Sequence, residues 1–165
     1  MKKNFTFIEL LIVIAVIGIL GGLILTAVSK FMEKSEKAEN VRLMQEIQIG
    51  ISTYYDKQGK FPYYNEGDSD YDLGVLDANV YSLIKEYVDF PDEYMIGTDL
   101  PADVWGSRFM YAPYTAYGAI TDNGSSAWNP KKNNAGNYVQ GDTFQLISLG
   151  SDNVLGTSDD IKNYD

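Results

Sequence analysis

From Phe5 to Leu25 the chain reads FTFIELLIVIAVIGILGGLIL, 21 residues with a single charge, Glu9. As a helix this run spans roughly 31 Å, about the thickness of a bilayer's hydrocarbon core. Whatever follows is therefore attached to a helix of membrane length. Lys2, Lys3 and the amino terminus precede the run, so the positive-inside bias places that end in the cytoplasm and the remainder on the far side. A cleaved secretory signal is the competing reading. The very short basic region, the length of the apolar run and the lack of an A-x-A site after it argue against that.

Burying Glu9 among alkyl side chains costs about 3 kcal/mol on insertion scales, and no basic residue between Lys3 and Lys30 is available to compensate. A cut between Asn4 and Phe5 would create an α-amine about one helical turn from Glu9 and let a neighbouring subunit's amine approach it. Glu9 then reads as an assembly residue. Gly18 and Gly22, with Gly21 beside them, form a G-x-x-x-G face that allows close helix approach. Glycines that merely weaken the helix fit the same spacing.

The length, 165 residues, suits one domain or one domain plus an appendage. Thirteen basic against 23 acidic side chains give a net charge of −10, with no basic stripe, which argues against a nucleic-acid partner. Cysteine and histidine are both missing. Disulfides, thiolate chemistry, imidazole bases and His or Cys zinc sites are excluded together. A small exported domain without disulfides needs another staple, for which an oxygen-ligated cation is a candidate.

Beyond the apolar run, Val28, Phe31, Met32, Ala38, Val41, Met44, Ile47, Ile51, Tyr54 and Tyr55 recur at steps of three and four, the period of an amphipathic helix. Glu33 with Lys37 and Glu39 with Arg42 support a solvated opposite face. Gly59 and Pro62 predict a helix end near Asp56, for a helix of about 50 residues. Asp68, Asp70 and Asp72 suggest a calcium loop but fail the EF-hand pattern, since Leu73 and Asn79 stand where Gly and Glu are required. A short helix is predicted from Ala78 to Val88 with Asp77 as its N-cap. Strands are predicted over Arg108–Tyr114 and Asp142–Gly150, paired antiparallel. The intervening residues, 115–141, make a long loop that is either functional surface, partly disordered, or the host of a short strand near Asn137–Val139.

The stretch SLGSDNVLGTSDDI, Ser148 to Ile161, runs from a strand into glycines, hydroxyls and three aspartates. Calcium takes six to eight oxygens at about 2.3 to 2.6 Å without needing His or Cys. Asp152 and Asp159 are the leading side-chain ligands and Asp160 the next, with Leu149 and Val154 able to offer carbonyls. A solvated acidic turn fits the same spacing.

FTFIELLIVIAVIGIL resembles the class III signal and N-terminal helix of type IV pilin-like proteins, which include type II secretion pseudopilins. DVWGSRFMY and QLISLGSDNVLGTSDDI are similar to the second half of the major pseudopilin of type II secretion. The resemblance implies cleavage by a prepilin peptidase between Asn4 and Phe5, N-methylation of Phe5, and pairing of Glu9 with a neighbour's N-terminus. It implies calcium held by the Leu149 carbonyl, Asp152 and one of Asp159 and Asp160. The chain departs from the family at Asn4, where Gly is usual before the cut, at Thr26, where a proline is frequent, and at Val104, where proline usually precedes the tryptophan. Trp105 is expected to be a core residue holding the loop against the sheet.

The fold expected is α+β and pilin-like, a long N-terminal helix packed on a small antiparallel sheet. Its expected parts are a leader (1–4), a transmembrane and assembly half-helix (5–27), an amphipathic half-helix (28–56) and a periplasmic head (57–165) with a calcium-type loop. The function implied is that of a structural subunit of a type II secretion pseudopilus. It would be anchored in the inner membrane and self-associate into a helical filament with minor pseudopilins, an assembly platform protein and an ATPase. A type IV pilus subunit for adhesion or motility is the alternative. A monomeric calcium-binding surface protein is a further reading, and an enzyme a remote one, because no spacing of Asp, Glu, Tyr or Lys specifies a catalytic pair.

Overall fold

The computed structural model describes residues 6–63, 74–122 and 128–164. The chain divides into two compact units, Met1–Ala38 and Glu39–Asp165. Helix α1, Phe7–Gln58, is 52 residues long and contributes to both. It ends two residues beyond Asp56, where the Gly59 N–H donates to the Tyr55 carbonyl at 2.7 Å and the backbone turns left-handed.

In the first unit, α1 is long and apolar enough to cross a membrane by length and composition, and its side chains from Phe7 to Gly22 are exposed. A Cβ added at Gly18, Gly21 or Gly22 would meet open space among the described residues.

In the second unit, α1 buries Asn40, Leu43, Met44, Ile47, Gly50 and Ile51. The apolar stripe read from the sequence is only partly this face. Val28, Phe31, Met32, Ala38, Val41 and Tyr55 are exposed. At 100° per residue, Val41 lies roughly 200° around the helix from Leu43, so both cannot face one sheet.

Helix α2, Ala78–Ile84, starts where Asp77 caps it, its carboxylate accepting the Val80 N–H at 2.7 Å. A 3-10 turn, Lys85–Tyr87, continues the segment that the sequence reads as one helix to Val88. A two-stranded ribbon follows, β1 (Met95–Ile96) with β2 (Leu100–Pro101). The main sheet is antiparallel, in the order β3 (Met110–Pro113), β4 (Phe144–Ser148), β5 (Ile161–Lys162). Tyr111 lies opposite Leu146, and Met110 opposite Ile147.

Every residue of β3 and β4 is buried, because the sheet has a core on each face. Phe109, Tyr111, Phe144 and Leu146 join Leu43, Met44, Ile47 and Ile51 of α1 and Leu76, Val80 and Ile84 around α2. On the other face, Met110, Ala112 and Ile147 pack with Tyr117, Ile120, Trp128 and Tyr164. Each fully buried Leu, Ile or Phe contributes about 1.5–3 kcal/mol, and these two clusters do the stapling in a chain that has no cysteine.

Ala116, Tyr117, Ile120 and Trp128 of the intervening segment belong to the second cluster, and Tyr138 and Val139 pack against it. A 3-10 turn, Tyr114–Ala116, leads into helix α3, Tyr117–Asp122. The strand expected near Asn137–Val139 is a single bridge, Lys132 to Tyr138. Trp105 is corrected: it is half-buried in a turn, while the tryptophan in the core is Trp128, 3% exposed. The turn is set by Asp103, whose carboxylate accepts the Trp105 and Ser107 N–H groups at 3.1 and 2.8 Å.

Candidate functional site

Two places carry the candidate residues: the start of α1 and the loop between β4 and β5. Asn4 and Phe5 lie outside the described residues, as do Asp68, Asp70 and Asp72. Glu9 lies in the first turn of α1. Its Oε2 accepts the Thr6 N–H at 2.8 Å and the Thr6 hydroxyl at 2.7 Å, and Thr6 Oγ1 accepts the Glu9 N–H at 3.4 Å. This is a reciprocal capping box, in which the Glu9 carboxylate satisfies the Thr6 N–H and the Thr6 hydroxyl oxygen satisfies the Glu9 N–H. Its signature, T-x-x-E over Thr6 to Glu9, was present in the sequence and was missed behind the question of a cationic partner. In a membrane such hydrogen bonds would replace part of the hydration that the carboxylate loses there.

In the β4–β5 loop, Asp159 Oδ2 accepts the Ser151 hydroxyl and the Asp152 N–H, each at 3.1 Å. The other oxygen, Oδ1, accepts the Thr157 hydroxyl. Thr157 Oγ1 also lies 3.4 Å from Asp152 Oδ1 and 3.2 Å from the Val154 carbonyl. The loop is wound tightly enough that a Cβ on Gly150 would lie 2.6 Å from Asp159 Cγ, and Gly150 has φ +69°. Only glycine fits there without strain.

The structure thus gathers Asp152, Val154 and Asp159 around Thr157, a residue not singled out in the sequence. A hydroxyl has one proton, and three acceptors converge on it. Thr157 chiefly, with the Asp152 and Ser151 donors, holds the Asp159 carboxyl below the usual carboxylate range. The set is all oxygen, the donor chemistry of a hard cation such as calcium. No group of three or more Asp or Glu side chains suited to a metal gathers among the described residues. Carbonyls and hydroxyls would therefore have to complete a calcium shell. Leu149 is half-buried, its side chain packed against the second cluster.

The neighbouring aspartates are separated in role. Asp160, its side chain fully buried, has other partners, accepting the Gly156 N–H at 2.9 Å and pairing with Lys162 at 3.3 Å through Oδ2. Its Oδ1 is buried without a partner.

Comparison with known proteins agrees with both ends of the chain. No family model matches, and no solved structure matches significantly. The chain is 25% identical to the type II secretion system core protein G of Escherichia coli K12 over 165 residues, covering 99% of this chain and 91% of that protein. It is 30% identical to a type IV major fimbrial protein FimA of Dichelobacter nodosus over 152 residues, covering 88% of this chain and 90% of that protein. With the type IV major pilin protein PilE1 of Neisseria gonorrhoeae it shares 36% identity over 62 residues, 38% of each chain. An apolar N-terminal helix opening on a capping-box glutamate, a second unit in which that helix packs on an antiparallel sheet, and near full-length likeness to a fimbrial protein agree: the chain belongs to the type IV pilin-like superfamily.

Proposed function

We propose that the chain is the repeating structural subunit of a type II secretion pseudopilus, which drives export of folded proteins across the outer membrane. The observation that carries this is the likeness to a type II secretion core protein along 99% of the chain. The subunit is held in the inner membrane by the apolar half of α1, with its N-terminus cytoplasmic and the Glu39–Asp165 unit periplasmic. A prepilin peptidase cuts between Asn4 and Phe5 and methylates Phe5. Glu9 then pairs with the neighbouring subunit's new amine, and burial of the apolar helices stabilises the filament. The exposed G-x-x-x-G face supports that step, since nothing among the described residues occupies it. An assembly platform protein, an ATPase and minor pseudopilins serve the filament, and the subunit itself catalyses nothing.

Asp152, Asp159 and the Val154 carbonyl, with Thr157 and the Leu149 carbonyl, are the residues that would hold calcium. Bound there, the ion supplies positive charge to a surplus of acceptors and ties the loop to the end of β4. Asp160 serves instead as the loop's clamp through Lys162.

The decisive experiment is deletion of the gene and complementation with wild type or Glu9→Ala. The expected result is retention of folded exoproteins in the periplasm, restored only by wild type. Normal secretion in the deletion strain would refute the proposal. The second reading, a type IV pilus subunit for adhesion or motility, is favoured by the FimA likeness. Loss of surface filaments and motility with secretion intact would establish it.

A further inference from the structure

Asn40, Ser148 and Asp103 come from α1, the end of β4 and the turn before β3, and meet in the interior with exposures of 0%, 0% and 1%. The Asn40 amide donates to Ser148 Oγ at 2.8 Å, and the Ser148 hydroxyl donates to Asp103 Oδ2 at 2.7 Å. Ser148 Oγ also receives the Gly150 N–H at 3.4 Å. One hydroxyl therefore uses both lone pairs and its proton, on the helix, the loop and the turn. The contact continues, because Gly150 lies directly against Asp159.

Asn40 is the unusual member. Its helical neighbours on the buried face are Leu43, Met44 and Ile47, any of which shows what would fill this position without burying an amide. Its Oδ1 has no partner, so the amide carries a desolvation penalty that only its bond to Ser148 offsets. A half-satisfied buried amide is a poor device for stability alone. It does specify one arrangement of the strand end relative to the helix.

We infer that Ser148 is a positioning residue for the cation loop and that Asn40 and Asp103 hold it, so that loading of the loop and order on the inner face of α1 are coupled. This rests on the calcium reading of the loop. Coupling is reciprocal: if calcium favours the arrangement in which Ser148 makes all its bonds, removing Asn40 weakens calcium by the same factor by which calcium protects that part of the helix.

The test uses the full chain in detergent micelles, titrated with calcium chloride, as wild type, Ser148→Ala, Ser148→Thr and Asn40→Leu. Amide exchange at Gly150 is followed in calcium-free buffer. Expected are a loss of calcium affinity of about tenfold in Ser148→Ala and Asn40→Leu, recovery in Ser148→Thr, which keeps the hydroxyl, and faster exchange at Gly150 in Asn40→Leu. Melting in calcium-free buffer separates positioning from damage, since Asn40→Leu should unfold no earlier than wild type. Affinities within twofold of wild type, or unchanged exchange at Gly150 in Asn40→Leu, would overturn the coupling. Absence of calcium binding by wild type would overturn the loop reading, and the exchange result would still decide whether helix and loop are linked.

Discussion

Thr6 donates twice to one oxygen of Glu9, from its backbone N–H and its hydroxyl. The carboxylate thereby has a duty inside its own chain as well as the one proposed between subunits. The two duties separate by substitution. Glutamine also closes a capping box, so Glu9→Gln should keep the first turn of α1 while losing filaments. Glu9→Ala should lose both, because alanine cannot close the box on the Thr6 N–H. Amide exchange over residues 7–10 and crosslinked filament yield measure the two effects. Normal yield from Glu9→Gln would mean that the charge is dispensable.

Gly50 is where α1 comes closest to the segment after α2. A Cβ there would overlap Val88 Cγ2 and lie 3.6 Å from Ile84 Cβ. Alanine gains about 0.5–1 kcal/mol of helix propensity over glycine, and the overpacking costs about 1–3 kcal/mol. Gly50→Ala should therefore be destabilising by about 1 kcal/mol, and stabilising when combined with Val88→Ala. Denaturant melts of the four proteins in the cycle test this, and an unchanged sign in the double mutant would refute the steric account.

Asp159 should govern the acid limb of stability. Its folded pKa lies below the ordinary 3.8, chiefly through Thr157. The unfolded chain therefore takes up a proton first as pH falls. The stabilisation is complete above about pH 4 and fades below it as the folded carboxylate titrates. In calcium-free buffer Asp159→Asn should flatten the stability profile below pH 4, while Thr157→Val should raise the midpoint of the acid transition. Profiles identical to wild type would remove Asp159 from the loop's hydrogen bonding.

Calcium should raise the melting temperature by roughly 10 °C at a hundredfold excess over its dissociation constant. Chelator should reverse this, and Asp152→Asn or Asp159→Asn should abolish it. Asp160→Asn should lower the melting temperature with or without calcium, because its partner is Lys162. A calcium shift lost in Asp160→Asn and kept in Asp159→Asn would exchange the two roles.

Gln145 is wholly buried and makes three bonds to one segment. Its Oε1 accepts the Lys131 N–H at 2.7 Å, and its Nε2 donates to the carbonyls of Lys131 and Val139 at 3.0 and 2.7 Å. Gln145→Leu strands the Lys131 N–H, at about 1–3 kcal/mol. In a Trp105→Phe background the emission of Trp128 should shift to longer wavelength as that segment loosens. An unshifted spectrum would show that the second cluster holds it without Gln145.

Periodicity located α1, α2, β3 and β4, which repeat a pattern, and not α3, β1, β2 or β5, which are too short to show one. It misjudged the buried face of α1 because a period identifies a set of faces, and which one is covered depends on residues far away in sequence, here Phe109, Tyr111 and Leu146. Alternation understated β3 and β4, since strands covered on both sides have no polar side to reveal. The aspartates of the loop were visible as composition. Thr157 at their centre, and the different partners of Asp159 and Asp160, depend on backbone turns at Gly150, Asn153 and Gly156 that no spacing rule predicts. Asn40 was hidden by its context, a polar residue inside a run whose neighbours are judged by hydrophobicity alone.

β3 and β4 supply side chains to both clusters, so neither cluster can come apart while the other stays whole. Melting of the Glu39–Asp165 unit should accordingly be all-or-none, with tryptophan, tyrosine and backbone signals changing together. A subunit placed as proposed above then offers no half-open form for a protease to grip. The pool of subunits should turn over at the rate of complete unfolding, which makes subunit supply as sensitive to temperature as that unfolding rate.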